Sequence, residues 1–117
     1  MRILGTGIDI IEVKRIRALF SKNNGFRERV FTKREIDYCE KKKRKHEHYA
    51  VRFAAKEAVW KAMGNNSIAL KSIEIRNKRS GKPEVFFKGK RFKEKVLITL
   101  SHCESYAVAQ AIIYKKD

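Results

Sequence analysis

The segment RFAAKEAVWKAMG, residues 52–64, constrains the fold most, because it predicts a helix with scarcely any free face for solvent. At about 100° per residue, aromatic side chains share one sector, small side chains share the back, and a charged pair lies on each flank. An ordinary surface helix keeps its charges in one contiguous arc. The helix is predicted over residues 47–63, is ended by Gly64, Asn65 and Asn66, and must be covered on several sides. Its aromatic residues are Tyr49, Phe53 and Trp60, and its charged pairs are Arg52 with Lys56 and Glu57 with Lys61.

The charges of this helix allow two interpretations. In the simpler one, Arg52 and Lys56 extend their charged ends out of a buried helix, and Glu57 pairs with Lys61 four residues later. In the other, Glu57 acts together with Asp9, a carboxylate inside the apolar sequence GIDII. A lone strand aspartate usually lies at a sheet edge or caps a turn, because burial without a partner is costly. Two carboxylates in apolar segments also suit Mg²⁺, which takes one or two carboxylates with water and phosphate oxygens.

The order of patterns predicts a single α+β domain over residues 1–117. RILGTGIDII favours an opening strand with Ile8 and Ile10 on one face and Asp9 and Ile11 on the other. Helical patterns follow in EVKRIRALFSKN, GFRERVF and TKREIDYCEKK, and the last begins with a capping box at Thr32. Beyond the long helix, SIEIRN and EVFFK flank the hairpin turn KRSGKP. GKRFKEK is predicted to be a polar connector, and VLITLSHCESYAVAQAIIY two further antiparallel strands.

Charge narrows the possible partners. The chain has 29 Lys and Arg against 13 Asp and Glu, a net charge of +16, which attracts nucleic acid, phosphorylated metabolites, anionic membranes or acidic proteins. The cysteines, Cys39 and Cys103, lack a paired spacing and are expected to be free thiols. No secretory signal or membrane span is apparent, since acidic residues interrupt the first apolar run, so a cytoplasmic protein is expected. The pair His46 and His48 lacks further ligands nearby and makes a poor metal site.

Four segments in this order resemble the holo-acyl-carrier-protein synthases, the small bacterial class of 4'-phosphopantetheinyl transferases. They are GTGIDIIEVKRI, RFAAKEAVWKAMG, SGKPEV and ITLSHCESYAVAQAII, and the resemblance covers nearly the whole chain. It implies transfer of phosphopantetheine from coenzyme A to a serine of apo acyl carrier protein, with release of adenosine 3',5'-bisphosphate. It also implies the phosphopantetheinyl transferase fold, assembled as a homotrimer with active sites between subunits.

The resemblance assigns catalytic roles to three residues. Asp9 matches the aspartate of the family's first motif and Glu57 the glutamate of its second, and both are expected to bind Mg²⁺. Lys61 matches the lysine four residues later and is expected to offset charge on the leaving phosphate. Glu57, directly or through a water, is the candidate base for the serine hydroxyl, with a ligand-only role as the alternative.

The resemblance also assigns binding residues. The 3'-phosphate and adenine end of coenzyme A is expected at the basic run KKKRK, the SGKP turn and two further polar residues, that is at Arg44, Arg52, Lys82, Pro83 and His102. Lys61 is expected to reach the same ligand. A basic rim around an apolar patch on the first helices suits an acidic amphipathic carrier helix. This carrier-binding set is Lys14, Arg15, Leu19, Phe26 and Arg29, with Arg15 as the central contact. For the lysine run and the first helix, a merely solvated surface is the alternative.

One departure from the family concerns the loop after the long helix. The family continues into a longer glycine-rich loop, whereas this chain has only GNNSIALKS. The cover over the nucleotide is therefore expected to differ, and no contact is assigned to residues 64–72.

Two other classes of function compete with the enzyme. A small RNA- or DNA-binding protein is favoured by net charge and by Phe86, Phe87 and Phe92, which lie among lysines as stacking residues often do. A basic adaptor for acidic proteins is the other. Neither class assigns a function to Asp9 and Glu57. The enzyme interpretation expects no nucleic-acid or membrane partner.

Overall fold

The structure is a computed structural model that describes residues 1–65 and 67–117. Four helices and two three-stranded antiparallel sheets form the α+β fold that the sequence predicts. The helices are α1 (Val13–Ser21), α2 (Phe26–Val30), α3 (Lys33–Glu40) and α4 (Lys45–Met63). The larger sheet has the order β1-β6-β5, from β1 (Arg2–Glu12), β5 (Lys95–His102) and β6 (Tyr106–Lys115). The smaller sheet has the order β2-β3-β4, from β2 (Ile73–Asn77), β3 (Pro83–Phe87) and β4 (Lys90–Arg91).

Helix α4 is the element around which the chain folds. It begins at Lys45, two residues before the predicted start, and ends at Gly64, whose φ of 68° gives the left-handed cap that glycine favours. The larger sheet, β2, α1 and α3 all pack against it. The sequence prediction of a helix covered on several sides is therefore confirmed. Asn66, part of the predicted end signal, lies outside the described residues.

The back of α4 lies unusually close to strand β1. A Cβ atom added to Gly7 would stand 1.9 Å from the carbonyl oxygen of Ala58, and one added to Gly5 would stand 2.0 Å from that of Ala62. Side chains larger than hydrogen on the strand would therefore push the helix away. The alanines of α4 and the glycines of GTG together allow this close packing.

The opposite side of α4 packs on aromatic rings from α1 and α2. Phe20 stacks edge-on against Tyr49 with ring centroids 4.6 Å apart, and Phe31 does so at 5.1 Å. Phe26 contacts Phe53 at 6.0 Å. This aromatic cluster fixes α1 and α2 beside the long helix.

The larger sheet buries one face and exposes the other, as the alternation in GIDII predicts. Ile11 is 6% exposed and faces α4, whereas Ile8 and Ile10 are 61% and 65% exposed on the outer face. Leu97, also on the outer face, is 48% exposed. The outer face therefore carries an exposed apolar surface that this chain alone does not cover.

Several smaller sequence predictions concern local structure. The capping box at Thr32 is present, with the Thr32 side chain bonded to the Glu35 amide and the Glu35 carboxylate to the Thr32 amide. The hairpin turn lies between β2 and β3 as predicted, whereas GKRFKEK is more than a connector, because it contains the short strand β4. Cys39 and Cys103 are free thiols. None of the helices in the described ranges is long and apolar enough to cross a membrane.

The contact between β1 and α4 makes a sharp stability prediction. We expect Gly7→Ala to lower the free energy of unfolding by about 3 kcal/mol, because the added methyl group meets a backbone carbonyl that cannot move aside without shifting the helix. Thr6→Ala, at an exposed position of the same strand, is the matched control and should change stability by no more than about 0.5 kcal/mol. Urea denaturation measures both, and equal stability of the two variants would contradict the close packing.

Candidate active site

The two carboxylates that the sequence singled out lie together between β1 and α4. Asp9 is on the inner face of β1, opposite Ala109, and Glu57 is half-buried on α4. Partial burial raises the pKa of Glu57, and the nearby charge of Asp9 raises it further, while Lys61 opposes both effects. Strand β1 is an edge strand, as the simpler interpretation of Asp9 assumed. The Asp9 carboxylate nevertheless points toward α4.

Lys61 completes this group, although not in the way that helical spacing suggested. Its ammonium group donates to the Asp9 carboxylate at 3.2 Å and to the backbone carbonyl of Ile8 at 2.9 Å. The expected pairing of Lys61 with Glu57 along the helix is therefore replaced by a contact across to β1. The reason is that β1 runs close enough for the lysine to bridge helix and strand. We call Asp9, Glu57 and Lys61 the carboxylate cluster.

The carboxylate cluster fits a hard divalent cation. The Asp9 carboxylate lies close enough to Glu57 to raise the pKa of Glu57, and Mg²⁺ commonly uses only one or two protein carboxylates. No group of three or more His, Cys, Asp or Glu side chains converges in the described part of the chain. A metal here would thus keep open positions for water and phosphate oxygens, as a catalytic rather than structural site requires.

A second group of polar residues surrounds Arg52 on another side of α4. The Arg52 side chain is 3% exposed, donates to the side-chain oxygen of Asn77, and lies over the Tyr38 ring with 3.9 Å between Cζ and the ring centroid. Its Nε is buried and has no hydrogen-bond partner among the described residues. The simpler interpretation expected the charged end of Arg52 to extend to solvent, and this is wrong, because the side chain is buried. Its Nε is an unused hydrogen-bond donor.

His102 lies in the same group. Its Nδ1 is 2.9 Å from a carboxylate oxygen of Glu47, and its ring lies 5.2 Å from that of His48, which in turn is 6.1 Å from Tyr38. Burial and the neighbouring His102 lower the pKa of His48. Arg44 approaches Glu47 from the exposed side at 3.7 Å. The predicted nucleotide-binding residues Arg44, Arg52 and His102 are thus linked in one row by three side chains that sequence reasoning did not assign to a site.

The β2–β3 hairpin brings the remaining predicted nucleotide residues to this row. Asn77 accepts from Arg52 and donates to the carbonyl oxygen of Gly81 at 3.0 Å. Pro83 is the cross-strand partner of Asn77, and Lys82 is exposed beside it. We call this second set the arginine cluster, and its members are Tyr38, Arg44, Glu47, His48, Arg52, Asn77, Lys82, Pro83 and His102.

The carboxylate and arginine clusters point in different directions from the same helix. Arg52 and Glu57 are five residues apart, which places them about 140° apart around the helix axis. Arg52 is directed to α3 and β2, whereas Glu57 is directed to β1. The structure therefore keeps the carboxylate and arginine clusters on different sides of α4, and Lys61, which was also expected to reach coenzyme A, lies in the carboxylate cluster.

The predicted carrier-binding residues line the start of the helical region. Lys14, Arg15 and Arg29 are exposed. Leu19 and Phe26 are partly buried against the core, so the apolar patch between the cations is smaller than the sequence alone suggested. Lys14 lies 3.4 Å from Glu12, and Arg29 donates to the backbone oxygen of Asn24. Arg15 follows β1 closely in the chain and makes no ion pair within the described residues.

Comparison with known proteins identifies the family to which the chain is similar. Residues 5–111 match the family model of the 4'-phosphopantetheinyl transferase superfamily. The chain is 47% identical over 123 residues to the holo-[acyl-carrier-protein] synthase of Ruminiclostridium cellulolyticum, covering 95% of this chain and 92% of that protein. It is 44% identical over 120 residues to that of Clostridium tetani, covering 95% of each.

A solved structure supports the same relationship. The holo-(acyl-carrier-protein) synthase of Bacillus anthracis, determined in complex with CoA (3',5'-ADP), superimposes with a TM-score of 0.85 at 36% identity, covering 99% of this chain and 100% of that one. The identification of an enzyme of this type from its motifs is thereby confirmed. The chain belongs to the 4'-phosphopantetheinyl transferase superfamily.

Proposed function

We propose that this chain transfers 4'-phosphopantetheine from coenzyme A to a serine of apo acyl carrier protein, with the help of Mg²⁺. It would thereby convert the carrier protein into the modified form that fatty acid biosynthesis uses. The observation that carries the proposal is the convergence of Asp9, Glu57 and Lys61 between β1 and α4. The relative from Bacillus anthracis, whose structure includes CoA (3',5'-ADP), supports coenzyme A as the donor.

Asp9 and Glu57 are the residues that would hold the metal. When bound, Mg²⁺ neutralises the pyrophosphate of coenzyme A and orients it for displacement. Lys61 already lies on the Asp9 side of this cluster, where its ammonium group can donate to the phosphate that leaves. The three residues therefore combine ligand and charge-stabilising roles in one place.

The transfer requires one proton to move from the attacking serine. The serine oxygen forms a bond to the phosphorus next to pantetheine, the bond from that phosphorus to the bridging oxygen breaks, and adenosine 3',5'-bisphosphate leaves with the bond electrons. Glu57, directly or through a water, would accept the serine proton, and a role as metal ligand only is the alternative.

The arginine cluster is our candidate for the nucleotide end of coenzyme A. It contains three basic side chains, Arg44, Arg52 and Lys82, beside the imidazole of His102. The free Nε of buried Arg52 is a donor that an anion or a base edge could use. The partly exposed ring of His48 adds a flat surface suited to an adenine ring.

A homotrimer would bring the two clusters together. A single chain presents the carboxylate and arginine clusters on different sides of α4, and in a trimer one bound coenzyme A would reach both across a subunit boundary. The exposed isoleucines of β1 and Leu97 of β5 provide an apolar surface for such an interface. We therefore propose that each active site uses the carboxylate cluster of one subunit and the arginine cluster of the next.

The rival nucleic-acid interpretation loses one of the two features that favoured it, the phenylalanines among lysines. Phe86 is 9% exposed and is covered by Arg76, whose Cζ lies 3.8 Å from the ring centroid. Phe87 packs against Phe92 with centroids 6.0 Å apart. These rings are engaged within the fold, so they are poor platforms for stacking bases.

The proposed transfer is tested with the carboxylates. We expect Asp9→Ala and Glu57→Ala each to abolish the mass increase of apo acyl carrier protein incubated with coenzyme A and Mg²⁺, because a lost ligand misplaces the pyrophosphate. Both variants should also bind Mn²⁺ at least about tenfold more weakly, as seen by electron paramagnetic resonance, a cost of about 1.4 kcal/mol. Asp37→Ala, an exposed carboxylate of α3, is the control. Full transfer by either variant, or in excess chelator, would refute the metal assignment.

Carrier docking is tested at Arg15. We expect Arg15→Glu to raise KM for the carrier at least about tenfold with KM for coenzyme A little changed, because the reversed charge repels an acidic helix without touching either cluster. Lys93→Glu makes the same charge change at an exposed position between β4 and β5 and should have little effect. The Arg15 effect should shrink as salt is added. An unchanged carrier KM at low salt would mean that the carrier docks elsewhere.

A further inference from the structure

Strand β2 has a free edge that faces the interior of the protein. It lies at the end of the smaller sheet, with only β3 beside it. On the β3 side, the Ser72 carbonyl accepts from the Lys88 amide, and the Lys78 amide donates to the Lys82 carbonyl. Because backbone groups alternate along an antiparallel strand, those of Ile73 and Ile75 point away from β3. Both residues are buried, so these groups need partners other than water.

A buried ion pair supplies those partners. The Lys56 ammonium donates to the Ile73 carbonyl at 2.5 Å and to the Glu35 carboxylate at 2.6 Å, and the other Glu35 oxygen accepts from the Ile75 amide at 2.8 Å. The side chains of Lys56 and Glu35 are both fully buried. Together they offer β2 one donor and one acceptor, two residues apart, which is what a neighbouring strand offers.

The pair also joins β2 to two helices. Lys56 belongs to α4, and Glu35 belongs to α3, where its carboxylate accepts from the Thr32 amide at 2.9 Å. The Thr32 hydroxyl in turn donates to Glu74 of β2 at 2.5 Å. A strand shifted by one residue would present the wrong backbone groups to this arrangement. The ion pair therefore sets the register of β2 against α4.

The register of β2 determines where Asn77 lies, two residues beyond Ile75. Asn77 has the same strand parity as Ile73 and Ile75, and its side chain bonds both to Arg52 and to Gly81 in the hairpin turn. The turn leads directly to Lys82 and Pro83. The position of these residues relative to Arg52 therefore depends on how β2 is held.

We propose that Lys56 and Glu35 are positioning residues, which take the place of a neighbouring strand along β2 and thereby hold the hairpin half of the arginine cluster beside Arg52. The proposal rests on the proposed role of that cluster in binding the nucleotide end of coenzyme A. Lys56 itself is fully buried and does not touch the substrate; it acts through the hairpin.

The test replaces both charges at once, since removing one partner would leave an unpaired buried charge. In Lys56→Met/Glu35→Gln, we expect KM for coenzyme A to rise at least about tenfold, equivalent to 1.4 kcal/mol, while kcat changes less than about threefold. Carrier KM and Mn²⁺ affinity should stay close to wild type, because the carboxylate cluster lies on another side of α4. The Ile75 amide should exchange with solvent deuterium much faster than in the wild-type chain.

Three further variants separate positioning from general instability. Ile113→Ala removes core volume in the larger sheet and should lower stability without raising KM for coenzyme A selectively. Lys33→Met/Asp37→Asn removes an exposed ion pair of α3 and should change neither quantity. Asn77→Ala leaves the ion pair intact, so it should raise KM for coenzyme A without speeding Ile75 exchange. If the double variant does not fold, Asn77→Ala still tests whether the contact between the hairpin and Arg52 affects coenzyme A binding.

Two results would overturn the proposal. One is an unchanged KM for coenzyme A in Asn77→Ala, or in a folded double variant whose Ile75 exchange is fast. The other is an equal rise in KM for Ile113→Ala. Absence of transfer by the wild-type chain would instead refute the proposed function, and with it the functional half of this proposal. Ile75 exchange would still decide whether the ion pair holds the hairpin.

Discussion

The close packing of β1 on α4 is the contact on which the rest of the structure depends. Gly7 lies against the carbonyl of Ala58, and Gly5 lies against that of Ala62. The residues of the carboxylate cluster are close neighbours of these contacts, since Glu57 precedes Ala58, Lys61 precedes Ala62, and Asp9 is two residues beyond Gly7. A wider spacing between strand and helix would separate Asp9 from Glu57 and take Lys61 out of reach of β1. Small side chains in the packing contact therefore determine the geometry of the charged ones.

Different sides of helix α4 contact different elements of the fold. Its alanine side contacts the larger sheet, and its aromatic side contacts α1 and α2. Lys56 is buried against α3 and β2, Arg52 meets the hairpin, and Glu57 meets Asp9. This explains why a helix with charges on several sides is stable within one small domain: Arg52, Lys56 and Lys61 each have polar partners outside the helix, in α3, β2 or β1. It also places the carboxylate and arginine clusters on different sides of α4.

Much of this could be predicted from sequence because the signals were local. The alternation in GIDII placed Ile8 and Ile10 outside, the Thr32 capping box marked the start of α3, and the motif around Glu57 identified the family. The partners of Lys56 and Lys61 could not be predicted in this way. Lys56 pairs with Glu35, 21 residues earlier, and Lys61 with Asp9, 52 residues earlier, so only the packing of the elements reveals them. Tyr38 and Asn77 were missed for the same reason.

Mixing two inactive variants tests the shared active site most directly. Glu57→Ala removes the carboxylate cluster's function, and Arg52→Met removes that of the arginine cluster while filling its buried space. If each site joins clusters from two subunits of a trimer, subunit exchange between the variants creates sites with both clusters intact. We expect an equal mixture, refolded together, to recover about a quarter of the wild-type transfer rate, since one in four random interfaces pairs the two intact halves. A refolded mixture as inactive as either variant alone would contradict the shared site, because it would place both clusters of every site within one chain.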